Sequence, residues 1–409
     1  MLDRRQFLAR GARGAGGATL ALLSTRPTSA LAHAVGSPTP KQTWANRAIA
    51  TYDALQKYFY FGNGTGFYRQ RYPSVHGGAV SNAWGFSRAV VATLTLAGIP
   101  RTYLGRKSYA HDVSERLAAL VKYWDGAASP PAYGAFPMPP LGKGGDKYYD
   151  NNGWIGLALL QHYRMTGAGS SLRAAEAVFA FTYPWGWDTN PDDPHPGGLF
   201  WIQQDQGRGL INHNRTCTSN APNAEIAFQL AQLLKGNTSG YRSGGNAILD
   251  WVTRTFANGS GLFYDHLNDD GSMDTTLRTY NQGAVIAAEV MRYRLTHKSA
   301  YLHRAETFAR ASLKTFDESY YVSHSCVFNA IYFRGLLQLY SVSKDAALKS
   351  AIIQAMRTYA EDAWANFRQP TNLFSFSPSP TSFQLLDQAS MVQIFASLAW
   401  YSHDYPMLG

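Results

Sequence analysis

Six segments of the chain share one pattern of polar and apolar positions. Each opens on small or polar residues and runs into an apolar stretch long enough for a buried helix. They are SNAWGFSRAVVATLTLAGI from Ser81, DNNGWIGLALLQHYRMTG from Asp150, SNAPNAEIAFQLAQLL from Ser219, YNQGAVIAAEVMRYRLT from Tyr280, SCVFNAIYFRGLLQLYSV from Ser325 and LDQASMVQIFASLAWY from Leu386. The apolar spacing is helical, and Asn, Asp or Ser at the opening suits an N-cap. Several segments are apolar on nearly all sides, as in helices covered on every face. Between them lie amphipathic stretches with more charge: Trp44–Phe59, Ser108–Trp124, Ser171–Thr182, Tyr241–Phe256, Ala300–Phe316 and Lys344–Phe367. Leu117, Leu120, Val121 and Trp124 show their period, which gives one face to the core and the other to water.

Six more-buried helices alternating with six less-buried ones predict an all-α (α/α)6 barrel of six inner and six outer helices. The repeat, roughly 50–70 residues, is longer than that of ordinary solenoids. Convincing alternating strands are scarce, which argues against a TIM barrel. GLFWIQQ at 198–204 and GLFYDHL at 261–267 read as short strands in hairpin loops near the cleft. If the inner helices run one way, their first turns line one cleft. Asn82, Asp150, Asn151, Asn152, Asn220, Asn281, Gln282, Asp387 and Gln388 then gather there, with Trp84, Tyr149, Trp154 and Tyr280 as aromatic faces. Amides outnumber charges in that set, which suits a neutral, hydroxyl-rich ligand. The competing reading is that each Asn or Asp only caps its own helix.

Composition narrows the classes. The chain has 409 residues, 16% charged and 14% aromatic, with 2 Cys. A disordered chain is charge-rich and aromatic-poor, so disorder is excluded, and two cysteines make no disulfide scaffold. No apolar run approaches the roughly 20 residues of an integral membrane span. The formal charge of +10 invites a nucleic-acid partner, yet residues 1–34 hold five Arg and one Asp, which leaves about +6 for the rest without a basic block. No nucleic-acid partner is expected. Arg4 and Arg5 precede a Gly/Ala-rich apolar stretch, and small residues alternate at Ala30, Ala32 and Ala34. Residues 1–34 resemble a twin-arginine bacterial export signal, which places the protein outside the cell or in its envelope. Residues 35–43 read as a Pro/Ser linker and residues 44–409 as one domain, expected to act as a monomer. Whether Cys217 and Cys326 pair is open from spacing alone.

Glycoside hydrolysis normally needs two carboxyl groups. The strongest candidate stretch is Lys147-Tyr148-Tyr149-Asp150-Asn151-Asn152-Gly153-Trp154, where Asp150 opens an inner helix among aromatic residues. Asp146, Asp205, Asp265, Asp269, Asp270, Asp274 and Asp387 are further cleft-side carboxylates, most of them readable as loop or cap residues. No metal or cofactor is expected. The 11 His are scattered, with no HExxH or zinc spacing, and no GxSxG elbow or phosphate loop occurs. His213 and His266 read as loop or hydrogen-bonding residues.

The chain resembles glycoside hydrolase family 76, endo-acting α-1,6-mannanases with an (α/α)6 fold. The matching pieces are Tyr149-Asp150-Asn151-Asn152-Gly153-Trp154, Gly197-Gly198-Leu199-Phe200-Trp201, Ser219-Asn220-Ala221-Pro222, Gly261-Leu262-Phe263-Tyr264-Asp265, Thr279-Tyr280-Asn281-Gln282-Gly283 and Leu386-Asp387-Gln388-Ala389, in family order across about residues 44–401. The resemblance implies a retaining mechanism on a mannan-type oligo- or polysaccharide, with two adjacent Asp as nucleophile and acid/base. The first matches Asp150. The second position is Asn151, an amide that cannot donate an acidic proton. It further implies sugar subsites from Asn82, Trp84, Tyr149, Asn152, Trp154, Asn220, Tyr280, Asn281, Gln282 and Asp387. Three outcomes follow from Asn151: a nearby acid such as Asp146, Asp205 or Asp265 substitutes, the substrate needs little leaving-group protonation, or the protein binds mannan with little turnover. Transglycosylation uses the same intermediate. An unsaturated-uronide hydrolase or sugar epimerase is more distant, because cleft Arg or Lys would be needed.

Overall fold

Thr39 starts the first helix. Its hydroxyl accepts the Gln42 N–H at 3.2 Å, and Pro40 takes the first helical position, where a missing N–H is no loss. The computed structural model describes residues 39–74, 79–203, 213–377 and 380–409. The export signal expected at 1–34 lies outside the described residues. Because of the Thr39 cap, helix already covers 40–43, the end of the stretch expected to be linker.

In chain order the helices are α1 (Pro40–Phe59), α2 (Ala83–Ala97), the short α3 (Arg101–Leu104), α4 (Ala110–Val121), α5 (Tyr149–Thr166), α6 (Gly169–Thr182), α7 (Cys217–Leu233) and α8 (Ser239–Thr255). Then come α9 (Thr279–Thr296), α10 (Ser299–Thr315), the short α11 (Glu318–Ser323), α12 (Cys326–Tyr340), α13 (Ala346–Asp362) and α14 (Leu385–Ala399). Helices α2, α5, α7, α9, α12 and α14 pack in sequence, and α14 returns to α2, so they close an inner ring. Helices α4, α6, α8, α10 and α13 each pack outside the inner helix that precedes them. Helix α1 packs mainly on α14, so the first helix completes the last pair. This is the expected (α/α)6 barrel.

Inner helices are buried along most of their length, as in α7 from Cys217 to Ala231. Two of them approach closely through glycine: a Cβ on Gly335 would stand 2.1 Å from the Gly283 carbonyl oxygen, so α9 and α12 require glycine there. The loop strands are shorter than expected. Leu199 and Ile202 make single bridges to Trp187 and Tyr148, and only His266–Leu267 of the second stretch is a strand, between Arg215–Thr216 and Met273–Asp274.

The capping expectation holds at one inner helix and gives way to a different device at the others. Asn82 caps α2, its Oδ1 accepting the Gly85 N–H at 2.8 Å. Helix α7 is capped by Thr216, and α5, α9, α12 and α14 have no side-chain cap. Instead the fourth residue of each is an amide that grips a preceding loop. Asn152 accepts the Tyr133 N–H at 3.0 Å and donates to the Tyr133 carbonyl at 3.0 Å. Asn220 does the same to Leu199 at 2.7 and 3.0 Å, and Gln282 to Phe263 at 2.9 and 2.9 Å. Gln388 accepts the Phe374 N–H at 3.1 Å and donates to the Asn372 and Thr51 carbonyls. In α12 Asn329 donates to the Tyr321 carbonyl at 2.8 Å and accepts the Thr279 hydroxyl.

A substitution that keeps the shape of a clamp but not its amide isolates its worth. Gln282→Met leaves the buried Phe263 N–H and carbonyl without partners, each costing about 1–3 kcal/mol. The expected outcome is a loss of about 2–4 kcal/mol in urea unfolding with an unchanged m-value. A loss below about 0.5 kcal/mol, the size of an ordinary surface substitution, speaks against the clamp.

Candidate active site

The first turns of the inner helices open into one cleft of about 570 Å³. From α2 come Asn82 and Trp84, from α5 Asp150, Asn151 and Trp154, from α7 Thr218, from α9 Tyr280 and from α12 Phe328; the loops add Ala135, Phe136, Tyr148, Trp201, Asn214, Thr216, Asp265 and His266. Three aromatic pairs stand in this wall: Trp84 with Trp154 at 6.1 Å between centroids, Tyr148 with Trp201 at 5.1 Å, and Tyr280 stacked on Phe328 at 4.1 Å.

Asp150 is the second residue of α5, where the helix dipole favours an anion. Its Oδ1 accepts the Asn151 N–H at 2.7 Å and its Oδ2 accepts the Trp201 indole N–H at 3.0 Å. Burial pushes its carboxyl up to about 6, against those hydrogen bonds, which favour the anion. Asn151 lines the cleft beside it, and its side chain makes no hydrogen bond with the described residues.

Asp265, the other carboxylate in the described lining, is tied on both oxygens. Oδ2 accepts Arg278 Nε–H at 2.9 Å and lies 3.3 Å from His266 Nδ1; Oδ1 accepts the Tyr280 hydroxyl at 3.0 Å and the Asn281 amide at 2.9 Å. Burial raises its value, but His266, Arg278 and Asn281 outweigh burial and hold it at about 2. Asp265 is therefore a fixed anion and no proton donor near neutral pH. Asp265 in turn raises the His266 value, against burial. Asp265, His266 and Asp274 bring ligand-type atoms within 4.8 Å of one another, and Arg278 already supplies positive charge to that group.

The structure separates the residues expected in the site. Asn82, Trp84, Asp150, Asn151, Trp154 and Tyr280 share the cleft. Asn152, Asn220 and Gln282 are loop clamps with their amides fully engaged, and Asn281 holds Asp265. Tyr149 is buried and stacks on Phe181 at 4.7 Å. Asp387 is not in the lining; its Oδ1 accepts the Cys326 thiol at 3.3 Å, and burial pushes it up to about 6. Among the other carboxylates, Asp146 is outside the lining, Asp269 and Asp270 bind His213 and Ser272 backbone N–H groups in their loops, and Asp205 lies outside the described residues. Cys217 and Cys326 are buried and unpaired. Sequence reasoning gave no role to Thr216, Thr218 or Phe328; Tyr148 stands in the candidate stretch at 147–154, Trp201 in a family-matching piece, and His266 reads as a loop or hydrogen-bonding residue, which its contacts to Asp265 and Asn268 agree with. Trp201 had a signal: it follows Gly197-Gly198 in an aromatic loop stretch.

An all-α barrel with an aromatic-walled cleft at the inner-helix N-termini suits a ligand with flat, ring-shaped faces. Residues 43–407 match the model of Glycosyl hydrolase family 76, and the chain belongs to that family. A family 76 glycoside hydrolase from a bovine Bacteroides thetaiotaomicron strain superposes with a TM-score of 0.75 at 22% identity, over 87% of this chain and 77% of that one. An inactive variant of the α-1,6-mannanase of Salegentibacter sp. HEL1_6, two adjacent Asp changed to Asn, was solved with α-1,6-mannotriose; it superposes with a TM-score of 0.69 at 19% identity, over 87% of this chain and 99% of that one. These likenesses are of fold. A Schizosaccharomyces pombe protein bearing the name of a mannan endo-1,6-alpha-mannosidase is 28% identical over 186 residues, 42% of this chain and 39% of that relative. Among the described residues no helix is long and apolar enough to cross a membrane.

The titration of Asp150 tests this electrostatic picture. Its carboxyl becomes anionic as pH rises through about 6. Removing the indole N–H in Trp201→Phe withdraws a bond to the anion, so the midpoint moves further up. Carboxyl-labelled NMR of both proteins reads it. A wild-type midpoint near 4, or a downward move in the variant, contradicts the assignment.

Proposed function

We propose that this protein binds an α-1,6-linked mannan or a related α-linked glycan in the cleft and hydrolyses it slowly by a retaining route, with Asp150 as nucleophile. The setting of Asp150 carries the reading. It is a carboxyl at the start of an inner helix, oriented on both oxygens and facing three aromatic pairs. In this route a carboxylate oxygen of Asp150 bonds to the anomeric carbon as the glycosidic C–O bond breaks. The departing oxygen takes its proton from solvent water, and a second water then cleaves the ester to Asp150, attacking the anomeric carbon and returning a proton to solvent. Asn151 stands in the family's acid/base position and offers a hydrogen bond without a proton. Lack of that acid costs about 10²–10⁴-fold in rate. Asp265, the other carboxylate in the described lining, does not replace it, since it is locked as an anion.

That last observation favours a second reading, a protein that chiefly binds mannan. Transglycosylation by the same intermediate is the third, and products longer than the substrate would mark it. In all three the twin-arginine-like leader supports export, so the glycan is met outside the cytoplasm.

One variant series separates the first two readings. Wild-type protein is expected to release oligosaccharides from α-1,6-mannan slowly, with Asp150→Ala abolishing release. Asn151→Asp is expected to raise kcat by about 10²–10⁴-fold, the return of a general acid. Calorimetry with α-1,6-mannotriose that shows binding, alongside a wild-type rate no different from Asp150→Ala, overturns hydrolysis in favour of binding. No gain in Asn151→Asp assigns proton donation to another group.

A further inference from the structure

Beneath the cleft floor the barrel interior holds an imbalance of charge. Arg88 and Arg334 of α2 and α12 are buried, Arg164 and Arg294 of α5 and α9 are half-buried, and the Glu225 carboxylate of α7 pairs with Arg334. Glu225 accepts both Nη groups of Arg334 at 3.1 and 3.2 Å. Arg164 donates to the side-chain oxygens of Gln229 and Gln232, each at 3.0 Å. Arg294 donates to a carboxylate oxygen of the last residue, Gly409, at 3.1 Å and to the Ser341 hydroxyl, so it too has a counter-charge. Arg88 has no acceptor among the described residues, although it is 2% exposed.

Arg88 lies one helical turn below Trp84, with its guanidinium carbon 5.3 Å from the Trp84 ring centroid and 5.5 Å from that of Trp154. Those ring faces attract a cation and recover part of the lost hydration. They accept no hydrogen bond from the guanidinium edge, and a buried charge without a hydrogen-bonding counter-group is costly. Burial drives its value down to about 9, and the positive charge of Arg334 acts in the same direction. Trp84 and Trp154 line the cleft, and Arg88 is not part of its lining.

We propose that Arg88 holds a small monovalent anion of the halide class inside the barrel, below the Trp84–Trp154 floor. A halide accepts several N–H groups without demanding their geometry. It also loses less hydration on burial than a divalent oxyanion does, and its charge offsets the surplus of guanidinium over carboxylate. The proposal is independent of the mannan reading, because it concerns the barrel interior and not the cleft.

Crystals of the full chain soaked in sodium bromide test it directly. The expected result is an anomalous bromide peak within hydrogen-bonding distance of Arg88. In solution, the wild-type Tm is expected to rise saturably, by a few degrees, in sodium chloride over sodium gluconate at equal ionic strength. In Arg88→Met, where the charge is gone and the stem volume kept, that difference is expected to vanish. The bromide peak needs no variant, so misfolding of Arg88→Met leaves the test intact. No peak at Arg88, only ordered water there, or an oxyanion in preference to bromide each overturns the proposal. A chloride effect undiminished in Arg88→Met does so as well.

Discussion

The barrel depends on one interaction, the grip of an inner-helix amide on the backbone of a neighbouring loop. A loop crossing the mouth of a helical barrel has N–H and carbonyl groups to satisfy and no sheet to satisfy them. The amide of Asn152, Asn220 or Gln282 offers one acceptor and two donors in the geometry of an adjacent strand. Each meets both polar groups of a single loop residue and still reaches a carbonyl four residues back in its own chain. Extended backbone alternates its side chains, so fixing one residue inward fixes the residue two further along. The clamped residues are Tyr133, Leu199 and Phe263; two positions on stand Ala135, Trp201 and Asp265, and all three line the cleft. Asn220 on α7 thus sets Trp201 onto Asp150 of α5. Gln282 on α9 sets Asp265 against Arg278 and Tyr280.

Much of this was legible in the sequence. Six nearly all-apolar segments alternating with six amphipathic ones give the barrel, because burial on every face and burial on one face leave different periodicities. The gathering of inner-helix starts at one end follows from that alternation. The division of labour within each first turn was not legible. In Asp150-Asn151-Asn152 three adjacent polar residues take two fates: Asp150 and Asn151 face the cleft, and Asn152 turns to the Tyr133 loop. Helical periodicity points successive side chains about 100° apart but does not say which direction holds ligand space and which holds backbone. The same ambiguity divides Tyr280 from Asn281 and Gln282. The cleft positions of Trp201 and His266 were not legible for a related reason. Their roles come from a loop whose path is fixed by a clamp in a helix further along the chain.

The cleft carboxylates show what the clamped framework does to charge. Asp150 and Asp265 share one cavity, and their proton affinities are driven apart, to about 6 and about 2. Groups whose environments separate their values in this way take different roles. Asp265, with four partners, is permanent negative charge under the Tyr280–Phe328 pair. Asp150, with two, changes state within the physiological range.

Asn151 bears on that division directly. Two adjacent carboxylates in one site raise one another's proton affinity, because both cannot easily be charged. With an amide next to it, Asp150 owes its upward shift to burial, and Trp201 and the Asn151 N–H restrain that shift. With its carboxyl at about 6, Asp150 is mainly the anion at pH 7. An amide at position 151 thus leaves the Asp150 carboxylate free of like-charge repulsion from its neighbour in the chain. The cleft keeps a carboxyl held on both oxygens, an aromatic wall and, next to the carboxyl, an uncharged side chain. Such a cleft meets a ligand with one fixed anion, Asp265, and one carboxyl whose charge follows pH, Asp150.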